Sequence, residues 1–140
     1  MTVPPLKTDP KYGYFPWWPE DGDDWVHPED VLTARSMIPS DRILRRDGAS
    51  GPYLVMHYGE LRLRVRRTLW QEVARPRFEI GDWVEVLSRG QTNEPRTGTI
   101  RDILWDEHAQ EVRYKIVEAG QAVDLRYAED DLQCVDSIDL

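Results

Sequence analysis

The sequence predicts a mainly β protein with one short N-terminal helix and an aromatic-rich irregular arm, built as two small blocks related by an internal duplication. From residue 41 onward, apolar residues recur with a period of two. The run Leu61-Arg62-Leu63-Arg64-Val65-Arg66 shows it most plainly, with apolar groups on one face of a strand and guanidinium groups on the other. Turn residues such as Gly59-Glu60, Gly81-Asp82 and Gly120-Gln121 punctuate the pattern at hairpin spacing. Residues 53–59 (YLVMHYG) also recur as 114–120 (YKIVEAG), 61 residues later.

The first 40 residues stand apart. Residues 11–25 (KYGYFPWWPEDGDDW) hold Gly13, Pro16, Pro19 and Gly22, which exclude a regular helix. Tyr12, Tyr14, Phe15, Trp17, Trp18 and Trp25 are too many rings to leave in water, since each buries about 150–250 Å². The expectation is an irregular arm that drapes over a sheet and closes its apolar face. The alternative is an exposed aromatic ledge for a ligand. A helix over 28–38 follows. Pro28 suits its first position, and Glu29 and Asp30 place negative charge at its N-terminal turn. Val31, Ala34 and Ile38 share a face, and Pro39 ends the helix.

The first block then reads as strands over 41–46, 53–58 and 61–66, with a turn over 47–52, and it ends at Trp70 and Val73. In the second block strands cover 83–87, 97–105 with an interruption at Asp102, 112–118 and 123–127. A polar loop spans 89–96, residues 128–131 form one 3₁₀ turn, 132–135 is the last strand, and the tail 136–140 frays. The domains are thus 1–40, the arm and helix packed on the first block; 41–76, an abbreviated first block; and 77–140, the second. In the duplication Leu63-Arg64 answers Leu125-Arg126, while Gln71 and Val73 answer Gln133 and Val135. Residues 41–48 resemble 82–90, and the strand over 97–105 is an insertion found in the second copy alone.

The second block opens Phe78-Glu79-Ile80-Gly81-Asp82-Trp83-Val84. This, with five short strands and a 3₁₀ turn before the last, resembles SH3-like barrels, among them KOW and Tudor-type modules and the β subunit of nitrile hydratase. The resemblance covers about 60 residues of the second block, and with the duplication the expectation is two SH3-like barrels or half-barrels that share an interface. It implies no catalysis. A Tudor-like reading would imply an aromatic cage, for which Trp83, Trp105, Tyr114 and Tyr127 are present, although alternation puts several of them in the core.

Composition narrows the function. The chain has 26 acidic and 18 basic residues, a net charge of −8, and its 40% apolar content is that of a folded protein. There is no apolar run long enough for a spanning helix and no secretory signal over residues 1–10, so a cytoplasmic location is expected. The lone Cys134 excludes an internal disulfide and a thiolate zinc site, and is read as a small hydrophobe in a barrel wall. His27, His57 and His108 lack partners at ligand spacing, and Asp106-Glu107-His108 sits in a turn. Phosphate-cradling loops and nucleophile motifs are missing, so neither metal, cofactor nor catalytic residue is expected.

Charge is nevertheless uneven, at −5 over 1–41, +6 over 42–77 and −9 over 78–140. Arg42, Arg45, Arg46, Arg62, Arg64, Arg66 and Arg67 form a guanidinium-rich face, with Tyr58 and Trp70 near by for stacking on bases. That suggests nucleic acid, which the overall negative charge disfavours. The favoured reading is noncatalytic binding of a protein or peptide, with Arg62, Arg64, Arg66, Trp17 and Trp18 as the partner-binding residues. An acidic inhibitor of immunity type that blocks a basic toxin, and a homodimer formed through an edge strand, are the alternatives. Pairing of Arg62, Arg64 and Arg66 with Asp21, Asp23, Asp24 or the acids of the second block would remove the motive for an open face.

Overall fold

A computed structural model describes residues 11–66, 70–88 and 94–135. Residues 1–10, residues 67–69 with Arg67 of the expected face, the first part of the expected polar loop (89–93) and the tail 136–140 lie outside the described residues. The protein is mainly β, and it divides into two compact units. One contains residues up to Ser40 together with Leu44–Arg75. The other contains Asp41–Ile43 together with residues from Pro76 onward.

In the first unit a five-stranded antiparallel sheet is built from β1 (Lys11–Tyr14), β2 (Leu44–Ser50), β3 (Tyr53–Tyr58), β4 (Leu61–Val65) and β5 (Gln71–Val73). Their order is β4-β3-β2-β1-β5. The arm is therefore not wholly irregular, because β1 lies inside the sheet, between β2 and β5. Gly13, which argues against a strand on propensity, is what permits this one. A Cβ there would run into the Gln71 carbonyl and the Trp70 ring, so glycine lets β5 and the indole approach closely. Tyr12, Tyr14, Phe15, Leu44, Met56, Leu63 and Val65 fill the interior.

The helix is shorter than expected. Pro28–Asp30 is a 3₁₀ turn, α1 covers Val31–Met37, and Ile38 is already extended. Ala34, Met37 and Ile38 are buried, whereas Leu32 stays 81% exposed. The strand expected over 41–46 is divided instead. Arg42 bridges Leu104 within the second unit, and β2 begins at Leu44 and runs into the expected turn as far as Ser50. A bulge between Arg46 and Gly48 absorbs Asp47, and the chain reverses at Gly51, whose φ of 60° suits glycine.

In the second unit β6 (Trp83–Val86), β7 (Arg96–Asp106), β8 (Glu111–Glu118), β10 (Tyr127–Ala128) and β11 (Leu132–Cys134) take the order β10-β8-β7-β6-β11, and β9 (Gln121–Ala122) also pairs with β8. β7 is irregular between Ile100 and Asp102, where the expected interruption falls. The single strand expected over 123–127 is replaced by two short pairings on β8, one at each end. Ala119 and Gly120, both with positive φ, make the tight turn into β9. The core is Val84, Val86, Ile100, Ile103, Tyr114, Ile116 and Leu132. Cys134 is exposed on β11 and is not a wall residue.

With β9 set aside, both sheets thus run last, first, second, third and then fourth strand. This register revises the sequence alignment. Residues 41–48 lead into a second strand, whereas 82–90 contain a first one, so their likeness is not positional. The second strand exists in both units. The long connection belongs to the first, where the chain between β1 and β2 includes the aromatic segment and α1. No helix among the described residues is long and apolar enough to cross a membrane.

Candidate partner-binding site

β4 carries the alternating guanidinium groups, and its outer edge is covered. The segment Trp25–Asp30 runs along it: His27 N–H donates to the Arg64 carbonyl at 2.9 Å, Arg66 N–H donates to the Trp25 carbonyl at 2.6 Å, and Val26 bridges Val65. Asp30 then turns back onto Arg64. Its Oδ2 accepts from the Arg64 backbone N–H and from Nε, both at 2.8 Å, and its Oδ1 accepts from Nη2 at 3.1 Å. Glu29 accepts from the same Nη2 at 3.2 Å. The side-chain hydrogen bond from Arg64 holds the Asp30 carboxyl below its usual range, against the opposing effect of burial. Asp30 in turn, aided by Glu29, raises the Arg64 guanidinium.

Arg64 is therefore an internal strut and not part of an open face. Its acids come from the helix start, more than thirty positions away in the chain, and not from the neighbouring Asp21, Asp23 and Asp24. Asp23 instead holds Arg35. Asp47 sits 2.8 Å from Arg45 Nε and 2.7 Å from His57 Nδ1, which takes up part of the remaining row. Arg62 and Arg66 differ. Both are exposed, and neither pairs with a carboxylate among the described residues. The Arg66 guanidinium lies over the Tyr53 ring at 5.6 Å.

The arm aromatics divide in the same way. Tyr12, Tyr14 and Phe15 are buried, Trp18 and Trp25 are half-buried, and Trp17 is 53% exposed. Trp18 lies flat against Gly22, where any Cβ would overlap the indole. Together Phe15, Trp18, Trp25, Ile38, Val65 and Arg66 surround an apolar recess of about 20 Å³. A space of this size holds roughly one water or one methyl group, and a water here would find few polar partners. Of the expected binding residues, Trp18 and Arg66 meet at this recess. Trp17, Arg62 and Arg64 are not among its lining residues.

Sequence reading missed Gly22, Ile38 and Val65 as parts of this wall. The usable signal was Trp18-Pro19 followed by Gly22, a tryptophan with a residue lacking Cβ four positions on. In the second unit the rings do not form a cage. Tyr114 and Tyr127 are buried, Trp105 is half-buried and Trp83 is 55% exposed. Tyr114 is a strut: its hydroxyl accepts from the N–H of Arg77 at 3.0 Å and of Phe78 at 3.4 Å, and it also bonds Glu129. Burial pushes the Tyr114 phenol and the Glu129 carboxyl upward. Among the described residues no group of three or more His, Cys, Asp or Glu side chains could hold a metal ion.

The chain belongs to DUF6960, a family of unknown function. The family profile matches residues 1–133 and so spans both units. No curated protein and no solved structure matches it. At the recess the lining sets aromatic rings and aliphatic side chains beside one guanidinium.

Proposed function

We propose that this protein is a noncatalytic binding protein, and that its first unit takes a protein or peptide partner at the aromatic recess. The observation that carries the reading is the recess itself, a small apolar hollow walled by Phe15, Trp18 and Trp25 with Arg66 beside it. Tryptophan and arginine supply much of the energy in protein recognition: the indole buries a large area with few rotamers to lose, and the planar guanidinium bonds in pairs. Trp17, the residue before Trp18, is exposed and offers a second apolar contact outside the recess.

The units themselves read as small SH3-like barrels related by duplication. The shared strand order supports this, as do Tyr53 and Tyr114, each six residues before a left-handed glycine that ends the third strand. A cytoplasmic location goes with an exposed, unpaired thiol at Cys134.

Selection of displayed peptides on the full chain tests the binding reading. A consensus should emerge whose affinity falls about tenfold or more in Trp18→Ala, with the fold intact by circular dichroism. A consensus indifferent to both Trp18→Ala and Trp17→Ala, or no consensus at all, overturns it. Selection of oligonucleotides under the same conditions is expected to yield nothing specific, given a net charge of −8.

A further inference from the structure

The binding reading can be taken one step further, to the chemistry of the partner. The recess is too small for an aromatic ring and offers almost no polar wall, so it suits the tip of a short aliphatic side chain. Among the described residues Arg66 is the one ionisable residue that lines it. The acids of the same arm are close in sequence, but Glu20, Asp21, Asp23 and Asp24 are not among the lining residues, and Asp23 is turned to Arg35.

Arg66 is also prepared for a ligand. Its backbone is pinned by the hydrogen bond to Trp25, its guanidinium rests on Tyr53, and it has no carboxylate partner among the described residues. Its neighbour Arg64 points along the same face but is already satisfied by Asp30 and Glu29. A guanidinium that is exposed and, among the described residues, without a carboxylate partner complements, beside an apolar hollow, a carboxylate next to an apolar side chain.

We propose that the recess takes a short aliphatic side chain of an acidic peptide, and that a carboxylate next to that side chain bonds Arg66. This rests on the recess being the binding site.

The test uses the full chain and four acetylated, amidated hexapeptides of alanine that differ at two central positions: Val-Glu, Val-Gln, Val-Lys and Phe-Glu. Binding is read from the indole N–H signals of Trp18 and Trp25 in ¹⁵N-labelled protein. Val-Glu should bind best, with Val-Gln about three- to fivefold weaker and Val-Lys weaker still, the range expected for one solvent-facing ion pair. Phe-Glu should also be weaker, for want of space. In Arg66→Gln the preference for Val-Glu over Val-Gln should vanish, and in Arg62→Gln the preference should persist.

Equal binding of Val-Glu and Val-Gln, tighter binding of Val-Lys, tighter binding of Phe-Glu, or a preference that survives Arg66→Gln overturns the inference. Any of these would leave the recess itself as a binding site. If none of the peptides moves either indole signal, while selected peptides do bind elsewhere on the chain, the recess reading falls as well.

Discussion

Tyr53 and Tyr114 each stand six residues before the glycine that ends the third strand of their unit, yet the two rings have opposite fates. Tyr114 is fully buried, and its hydroxyl holds the two N–H groups of Arg77 and Phe78. Tyr53 is half-buried, with His27 packed 5.2 Å from its ring and Arg66 lying over it. In the second unit the chain leading into the first strand passes over the tyrosine. In the first unit the chain between the first and second strands wraps the outer edge of β4 and brings the arm aromatics with it. A common strand order therefore leaves surface chemistry to the connections. The contrast extends to charge: ten acids against ten bases in the first unit, and sixteen against eight in the second.

The largest effect should separate the two tyrosines. Tyr114→Ala opens a core cavity and removes the acceptor of the Phe78 N–H, while the Arg77 N–H keeps Glu129, and should cost about 3–5 kcal/mol in a urea melt. Tyr53→Ala should cost less than about 1 kcal/mol. Equal losses would break the comparison.

Next come two glycines, one in each unit. A Cβ on Gly13 would meet the Gln71 carbonyl and Trp70, and a Cβ on Gly98 would meet the Val117 carbonyl. Gly13→Ala and Gly98→Ala should each cost about 1–3 kcal/mol, because backbone cannot yield as a side chain can. A tolerated Gly13→Ala would show that β1 does not need its close seat beside β5.

Acid should act differently on the two units. The Asp30 carboxyl is held low by Arg64, so its stabilising contribution is present above the ordinary aspartate range and is lost as pH falls through its lowered folded value. Asp30→Asn should lower the urea midpoint at pH 7, and its deficit should close below about pH 4. A deficit that is constant with pH would mean that the ion pair is not its source.

The smallest effect has the opposite sign. Burial raises the Glu129 carboxyl, so its ionisation disfavours folding, and this cost appears as pH rises through the raised folded value. Glu129→Gln keeps an oxygen to accept from the Arg77 N–H. It should be more stable than wild type at pH 7 by less than about 1 kcal/mol, and the gain should disappear by about pH 4.

How much was legible in the sequence varies with the range of the interaction. The alternation over 53–58 and 61–66 reports burial on one face directly, and β3 and β4 fall there. The 3₁₀ turn before β11 was equally plain from its run of acids. β1 was hidden because Gly13 reads as a breaker until Trp70 and Gln71 are brought against it. The division of 41–46 was hidden because Arg42 is matched to Leu104, some sixty positions further on. At the candidate site, Trp18 and Arg66 could be singled out as residue types, but Ile38 and Val65 look like any other core residues.

What this sequence settled alone was the period of its strands, the places where the chain must turn, and the mixture of rings and guanidinium groups it would have to accommodate, because these follow from backbone sterics and solvation acting over a few residues. What only the tertiary structure decided was which guanidinium stays available. Arg62, Arg64 and Arg66 are equivalent in the alternating pattern. The return of Asp30 to β4 neutralises the middle one and leaves Arg66 beside the recess, and such a pairing depends on distances that no local rule encodes.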